Sequence, residues 1–425
     1  MSSAPASQPA EPGRVAEPTP IPANSNTAAA KPLTVLIVVP TLGAGAAEHG
    51  AVELVRLLRA AGHHAIVAAR AGRLLGAVTA LGGEFVPLDV ASKNPIVMLR
   101  NAAALVRLAR RRHCDVIHAL GRAGAWSASL AARRCNVPFV TGWFKGFREQ
   151  NFLKRLYNGV MARGDHVIAT SEDIAQLIHE RYGTRWERLA VVPLSIDFAP
   201  FDPAQVARQR VTAMRKAWGV EPETRVILVT GRIVRRKGHH VVVKALKRLK
   251  DMGLTDFLCV FVGEDHGRTT YTGELWDLVL ASGVMDHVRM AAPVRDMPAA
   301  YAAASVVVSA AVQLEGVQRA ILEAQAMARP VIVSDLAAGP DVVLTAPAVP
   351  DNRVSGLRFP SGDEAALAGA LMRLLAMPET ARGAMGRRGR AWVLDHFDAD
   401  RGARRMLALY QDVVKTPAGG ADTVI

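Results

Sequence analysis

Short uninterrupted apolar runs alternate with helix-period segments in two successive blocks, and this constrains the fold more than any other feature of the chain. In the first block the apolar runs are Leu33–Val39, His64–Ala69, Glu84–Leu88, Val116–His118, Phe139–Thr141, His166–Ala169 and Leu189–Val192. Between them lie a glycine-rich turn at Gly43–Gly50, a helix-period segment running to about Ala61, and others at Gly72–Leu81, Pro95–Arg112 and Ala123–Arg134. A strand buried on both faces reads as an unbroken apolar run, and alternation with helices marks a parallel sheet. The second block repeats the rhythm, with strands expected at Val226–Val229, Leu258–Val262, Val288–Met290, Val306–Ser309 and Val331–Val333. Helices are expected at Ala204–Trp218, Gly238–Leu249, Glu274–Ser282, Met297–Ala303 and Ala320–Met327, then at Ala365–Ala376, on to His396, and at Ala399–Val414.

Pro193–Pro203 holds three prolines and little periodicity, which suits a linker. The expected class is therefore α/β, with two Rossmann-like, doubly wound domains facing each other across a cleft. The divisions are a tail at 1–30, an amino-terminal domain at 31–195, a carboxyl-terminal domain at 196–398, and a closing helix and tail at 399–425 that can cross back to the first domain. Residues 1–30 are rich in Ala, Pro, Ser and Glu, lack the pattern of a signal peptide, and read as disordered.

Ligands of open α/β sheets bind beyond the carboxyl ends of the strands. Two such ends carry charge. After Val226–Val229 comes Thr230-Gly231-Arg232-Ile233-Val234-Arg235-Arg236-Lys237-Gly238, where an Arg fork and a Lys point charge five residues apart suit a diphosphate. A solvated basic loop is the plainer reading, since Arg235 and Arg236 share it. After Ser305–Ala311 comes Glu315 through Glu323. In one continuous helix these glutamates stand about 80° apart, so Glu315 is expected to end the loop and the helix to begin near Gly316–Gln318. Its free N–H groups then face phosphate, and Glu323 can reach a ribose hydroxyl pair. Two glutamates on a solvated helix face are the competing reading.

The formal net charge is +14. Residues 31–200 carry 22 Lys/Arg against 12 Asp/Glu, so the amino-terminal half is the basic one. A basic surface draws polyanions, yet aromatics are 5% of the chain and no nucleic-acid module is recognisable. An anionic membrane surface or acidic glycan is the favoured partner, and nucleic acid is not. Arg100, Arg107 and Arg111 fall on one side of the Pro95–Arg112 helix. The stretch from Trp143, Phe144, Lys145, Phe147 and Arg148 to Arg155 interleaves aromatics with cations, suiting a bilayer or acceptor surface. No apolar run is long enough to span a bilayer. Three scattered cysteines give neither a disulfide framework nor a metal site, and a reduced cytosolic setting is expected. His118, His239 and His240 read as structural.

Arg232…Lys237, then Glu315…Glu323 running into Ala324-Gln325-Ala326-Met327-Ala328-Arg329-Pro330-Val331-Ile332, resembles the family 4 retaining glycosyltransferases of GT-B fold. The likeness runs from about Leu33 to the closing helix. Ser92–Pro95, Tyr157–Asp165 and Asp296–Tyr301 are similar to a bacterial branch associated with lipopolysaccharide core and other envelope glycans. The resemblance implies hexose transfer from a nucleotide-sugar to a glycan or lipid-linked acceptor, with retention and without metal or cofactor, at the inner face of the membrane. It gives Arg232 and Lys237 the donor diphosphate, Glu315 the transferred sugar, and Glu323 the ribose. Gly231, Gly316, Val317, Gln318 and Arg319 then complete the donor pocket, with Gly45 in the loop that closes from the other domain.

The sequence departs from the family pattern on the sugar side. Gly45-Ala46-Ala47-Glu48 replaces Gly-Gly-Ala-Glu, and Phe144-Lys145 stands where His-Gly is usual. Val317 and Gln318 replace an aromatic residue and a glycine, and Asp341 stands where glutamate is common. A silent relative that binds a nucleotide-sugar or a protein partner, or a nucleotide-sugar epimerase, is the alternative.

Overall fold

The computed structural model describes residues 31–43, 45–144, 151–193, 196–265, 267, 269–315 and 317–415. The expected tail at 1–30, Gly316, Lys145, Phe147, Arg148 and residues 416–425 lie outside the described residues.

The amino-terminal sheet forms from β1 (Thr34–Thr41), followed by α1 (Ala46–Ala60), β2 (His64–Arg70), α2 (Leu75–Ala80), β3 (Glu84–Pro87), α3 (Pro95–Arg111), β4 (Val116–Ala119), α4 (Arg122–Cys135), β5 (Phe139–Trp143), α5 (Phe152–Asn158), β6 (His166–Ala169), α6 (Glu172–Tyr182) and β7 (Leu189–Val191). Its order is β3-β2-β1-β4-β5-β6-β7, every pairing is parallel, and the chain reverses direction across the sheet between β1 and β4. That reversal opens the crevice in which ligands of such sheets sit.

The second sheet is built the same way. It follows α7 (Arg208–Ala217) with β8 (Arg225–Thr230), α8 (His239–Asp251), β9 (Phe257–Val262), α9 (Thr269–Ala281), β10 (Val288–Ala291), α10 (Met297–Ala303), β11 (Val306–Ser309), α11 (Arg319–Ala326), β12 (Val331–Ser334) and β13 (Gly356–Phe359). Its order is β10-β9-β8-β11-β12-β13, with the switch between β8 and β11. The chain closes with α12 (Glu364–Ala376), α13 (Glu379–His396) and α14 (Ala399–Lys415).

Both sheets are lined on two faces by fully buried Val, Ile and Leu, which is why their strands read as apolar runs. Met406, Tyr410 and Val413 of α14 pack into the amino-terminal core with Val35, Ile37 and Leu58. The proline-rich connection is anchored, since Ile196, Phe198 and Phe201 are buried in the carboxyl-terminal core. Ile196 N also donates to Phe397 O at 3.1 Å.

Across the join between domains, Asp341 faces Asp173 of α6. A Cβ on Gly339 would stand 2.4 Å from Asp341 Oδ1 and 3.0 Å from Asp173 Oδ2, so glycine leaves the room both carboxylates use. Burial, and then the Asp173 charge, push the Asp341 carboxyl up to about 6. A carboxyl that holds its proton more tightly when folded contributes stability below its unfolded range, and loses that contribution as pH rises through the folded value. Unfolding free energy should therefore fall by about 2 kcal/mol between pH 4 and 7 on account of this group. Asp341→Asn should flatten that slope in denaturant titrations across the same range.

Candidate active site

A cleft of about 1010 Å³ runs between the carboxyl ends of the two sheets. Its carboxyl-terminal wall begins where β8 ends. Gly231 follows with φ +124°, a backbone region that favours glycine. Arg232 then lines the cleft with an exposed side chain. A tight turn over Arg235–Lys237 ends at Gly238, in left-handed conformation at φ +72° and at the start of α8.

That turn delivers two cations to one carboxylate. Glu315 forms ion pairs with Arg236 and, at 3.1 Å, with Lys237 Nζ. Lys237 Nζ also donates to Gln318 Oε1 at 2.8 Å, and Gln318 is tied down by Ser309 Oγ at 3.1 Å and by its own Nε2 donating to Ala337 O at 3.0 Å. Gln318 is the amino-terminal cap of α11, so the free N–H groups of that helix open into the cleft beside Gln318, Arg319 and Ala320. The ammonium of Lys237 is thus held in place before any ligand arrives, which spares reorganisation when charge develops.

Glu323 sits one turn further in, 7% exposed, behind the cleft wall rather than in it. It accepts from Tyr301 Oη at 2.9 Å and pairs with Arg319 Nε at 2.6 Å. Burial raises its carboxyl above the usual range, and Arg319 opposes the shift.

The facing wall is amino-terminal. Gly45 caps α1, and Gly45, Ala46, Ala47, Glu48 and His49 line the cleft. A Cβ on Gly45 would meet Glu48 Oε2 at 2.3 Å. Lys93 adds a cation from the β3–α3 connection, Arg122 from the first residue of α4 and Lys154 from α5, and Arg122 donates to Asn158 Oδ1 at 2.8 Å.

Residues 224–377 match the family model described as glycosyl transferases group 1, and residues 47–199 match glycosyltransferase family 4. In fold, this is a GT-B protein. A glycosyltransferase from Rickettsia africae is 24% identical, covering 90% of this chain and 99% of that one, with a TM-score of 0.80. Anabaena Alr3699/HepE in complex with UDP-glucose is 18% identical, covering 89% and 99%, with a TM-score of 0.75. D-inositol 3-phosphate glycosyltransferase of Jonesia denitrificans is 30% identical over 200 residues, which is 42% of this chain and 45% of that protein. The chain spans about half the length of the curated relatives it matches first.

In this GT-B protein the fold brings Gly45, Gly231, Arg232, Lys237, Glu315, Val317, Gln318 and Arg319 to one cleft. Arg236, which the sequence offered only as part of a solvated loop, is Glu315's partner. One expected surface residue is corrected. Trp143 is fully buried, because β5 continues two residues beyond Thr141 and its Nε1 donates to Met161 O at 2.9 Å. Phe144 lines the cleft and packs against α1, its ring atoms 2.6 Å from where a Cβ on Gly50 would stand. His118 and His239 are each 1% exposed, and burial pushes both down to about 3. Among the described residues, no group of three or more His, Cys, Asp or Glu is placed to hold a metal ion.

Proposed function

We propose that the protein transfers a hexose from a nucleotide-sugar to an anionic or lipid-linked glycan acceptor, with retention of anomeric configuration. The observation that carries this reading is the fixed cluster of Lys237, Arg236, Glu315 and Gln318 at the mouth of α11. The donor diphosphate would lie against Arg232, Lys237 and the α11 amino terminus. The bond between the anomeric carbon and phosphate oxygen breaks while the acceptor oxygen bonds on the same face. The acceptor proton passes to the departing phosphate, and Lys237 and Arg232 stabilise the charge that builds there. With Lys237 fixed and Arg232 beside it to carry positive charge, turnover should survive chelation of divalent ions. Glu315 would hold hydroxyls of the moving sugar, and Glu323 would turn from Tyr301 towards the ribose.

Lys93, Arg122 and Lys154 suit an acceptor with phosphate or carboxylate groups, as on a lipopolysaccharide core or another envelope glycan. A phosphorylated cyclitol is a second acceptor reading, favoured by relatives named D-inositol 3-phosphate glycosyltransferases. Release of nucleoside diphosphate across a panel of UDP-, GDP- and ADP-sugars, with each acceptor class present, tests the proposal. Turnover of one donor that disappears in Lys237→Ala is the expected result. Binding without turnover would favour a silent relative.

The place of work we propose is the cytosolic face of an anionic membrane. Among the described residues no helix is long and apolar enough to cross one. Ile96 and Leu99 on α3 are 64% and 62% exposed, and Phe152 and Leu153 on α5 are 76% and 71% exposed. From Ala91 to Gly164 the chain carries 14 Lys/Arg and two carboxylates, Asp115 and Glu149. Lys93 and Lys154, beside these apolar side chains in sequence, line the cleft, so a docked bilayer would present its lipids to the site. Phe152→Ser with Leu153→Ser should lower sedimentation with phosphatidylglycerol vesicles by tenfold or more, at about 1.5–3 kcal/mol per buried side chain. Retention of full binding by this variant would remove α5 from the membrane face.

A further inference from the structure

Behind Phe144 lies a second pocket, of about 70 Å³, between the ends of β4 to β6 and the helices α1 and α14. It joins the cleft at Glu53, Leu120, Gly142 and Phe144, which line both. Its walls are mainly apolar, with Leu54, Leu57, Ile168, Val192 and Met406 prominent; the one carboxylate in the lining, Glu53, is paired with Arg56 at 2.6 Å. Two polar atoms in its lining residues, His118 Nε2 and Thr170 Oγ1, are buried without a hydrogen-bond partner. Both residues are more than nine-tenths buried, at 1% and 6% exposure. Buried polar groups are nearly always paired, so two unpaired ones at one pocket call for a ligand that supplies their partner.

The chemistry of that partner follows from the groups themselves. Tyr410, fully buried on α14, lies with its Oη 2.6 Å from His118 Nδ1. Burial raises the phenol's pKa and pushes the imidazole down to about 3, so the hydroxyl keeps its proton and the ring is neutral. Because this is the one hydrogen bond of the phenol among the described residues, we assign its O–H as donor to Nδ1, which leaves the imidazole proton on Nε2. Thr170 offers a second O–H. A neutral oxygen that accepts from both fits; an anion would pay desolvation with no cation beside it. One water needs roughly 10–15 Å³ of free volume, so about 70 Å³ takes a group of several heavy atoms.

We propose that this side pocket is a subsite for an acetyl-sized acyl group, N- or O-linked, on a sugar lying in the cleft. The carbonyl oxygen accepts from His118 Nε2–H and Thr170 O–H, and the methyl group meets the leucine and valine walls. The proposal rests on reading the cleft as a nucleotide-sugar transferase site. Gly142 is what leaves the approach to the imidazole open: a Cβ there would stand 3.2 Å from His118 Nε2 and 2.9 Å from Leu120 Cδ2. Phe144 rests across Gly50 and Gly142 as the partition between the two spaces, and the acyl group enters as the ring turns aside.

The acyl group can belong to the donor sugar or to the acceptor, and two titrations separate these sources. One compares UDP-N-acetylglucosamine with UDP-glucose. The other compares free N-acetylglucosamine with glucose at saturating UDP. In the wild-type protein the acetylated member of one pair should bind about tenfold more tightly or better. Gly142→Ala should abolish that preference while leaving the affinity for UDP unchanged, and Thr170→Val should reduce it severalfold. Equal affinities in both pairs, or a preference that survives both variants, would overturn the proposal. Should Gly142→Ala fail to fold, Thr170→Val decides. Should UDP itself not bind, the donor reading fails for UDP, and the free-sugar pair without nucleotide still decides the pocket.

Discussion

Lys237→Ala should lower kcat/KM for the donor by a factor on the order of 10²–10³, the usual cost of removing one fixed group that stabilises developing charge. The Lys237 side chain is 15% exposed and its ammonium is held by Glu315 and Gln318, so little of its effect is lost to solvent. Two consequences of the substitution must be kept apart. Glu315 loses one of two cationic partners but keeps Arg236, which limits the structural penalty to about 1–2 kcal/mol. Arg236 also lines the cleft but shares Glu315 with Lys237, so it should leave a residual rate; Arg235 pairs with Glu274 and is not in the cleft lining. Activity should therefore fall far more than the melting temperature. Lys237→Arg keeps the charge but not its shape, and should recover stability without recovering most of kcat. Equal loss of kcat and of stability in both variants would make Lys237 a structural residue.

Much of the fold was legible because a parallel strand buried on two faces is an uninterrupted apolar run. Val226–Val229 and Leu258–Val262 show this well: both fall inside β8 and β9, and both are buried throughout. Where that condition fails, so does the reading. β13 begins with a glycine and exposes Arg358, as an edge strand can, and it went unread. β5 was cut short at Gly142, which left Trp143 looking like a loop residue when it is the buried end of the strand. The proline-rich connection reads as a loose linker in one dimension, yet Phe198 and Phe201 insert into the core.

The site divides along the same line. Arg232, Lys237, Glu315 and Gln318 lie at fixed short spacings around two strand ends, so sequence alone proposed them. Lys93, Arg122 and Lys154 follow β3, β4 and β5 in the chain and meet only because the carboxyl ends of those parallel strands share one edge of the sheet. The side pocket was further from reach. It needs α14, nearly 300 residues from His118, to fold back and place Tyr410 on the imidazole.

Gly238→Ala should be the most destabilising single change in the donor wall, costing about 3 kcal/mol or more. Two effects combine. The residue adopts φ +72°, which for alanine costs about 1–2 kcal/mol. An added Cβ would also stand 1.7 Å from Ala310 O and 2.7 Å from its carbonyl carbon, and neither is a side chain that can swing away. The turn and the end of β11 must then separate. Gly231→Ala is the control: its φ is also positive, at +124°, but the nearest atom to a new Cβ is Lys237 Cε at 3.8 Å. Strain without collision should cost less, even though φ +124° lies outside the left-handed well that L side chains occasionally adopt. The two variants also separate stability from geometry at the site. Lys237 immediately precedes Gly238, and Glu315 and Gln318 follow β11, so parting these segments opens the cluster that holds the ammonium. Gly238→Ala should lower the melting temperature by roughly 6–12 °C. It should also weaken nucleotide binding at temperatures where the protein remains folded. A variant that melts like the wild type and binds nucleotide equally well would show that the turn and β11 do not hold the donor wall together.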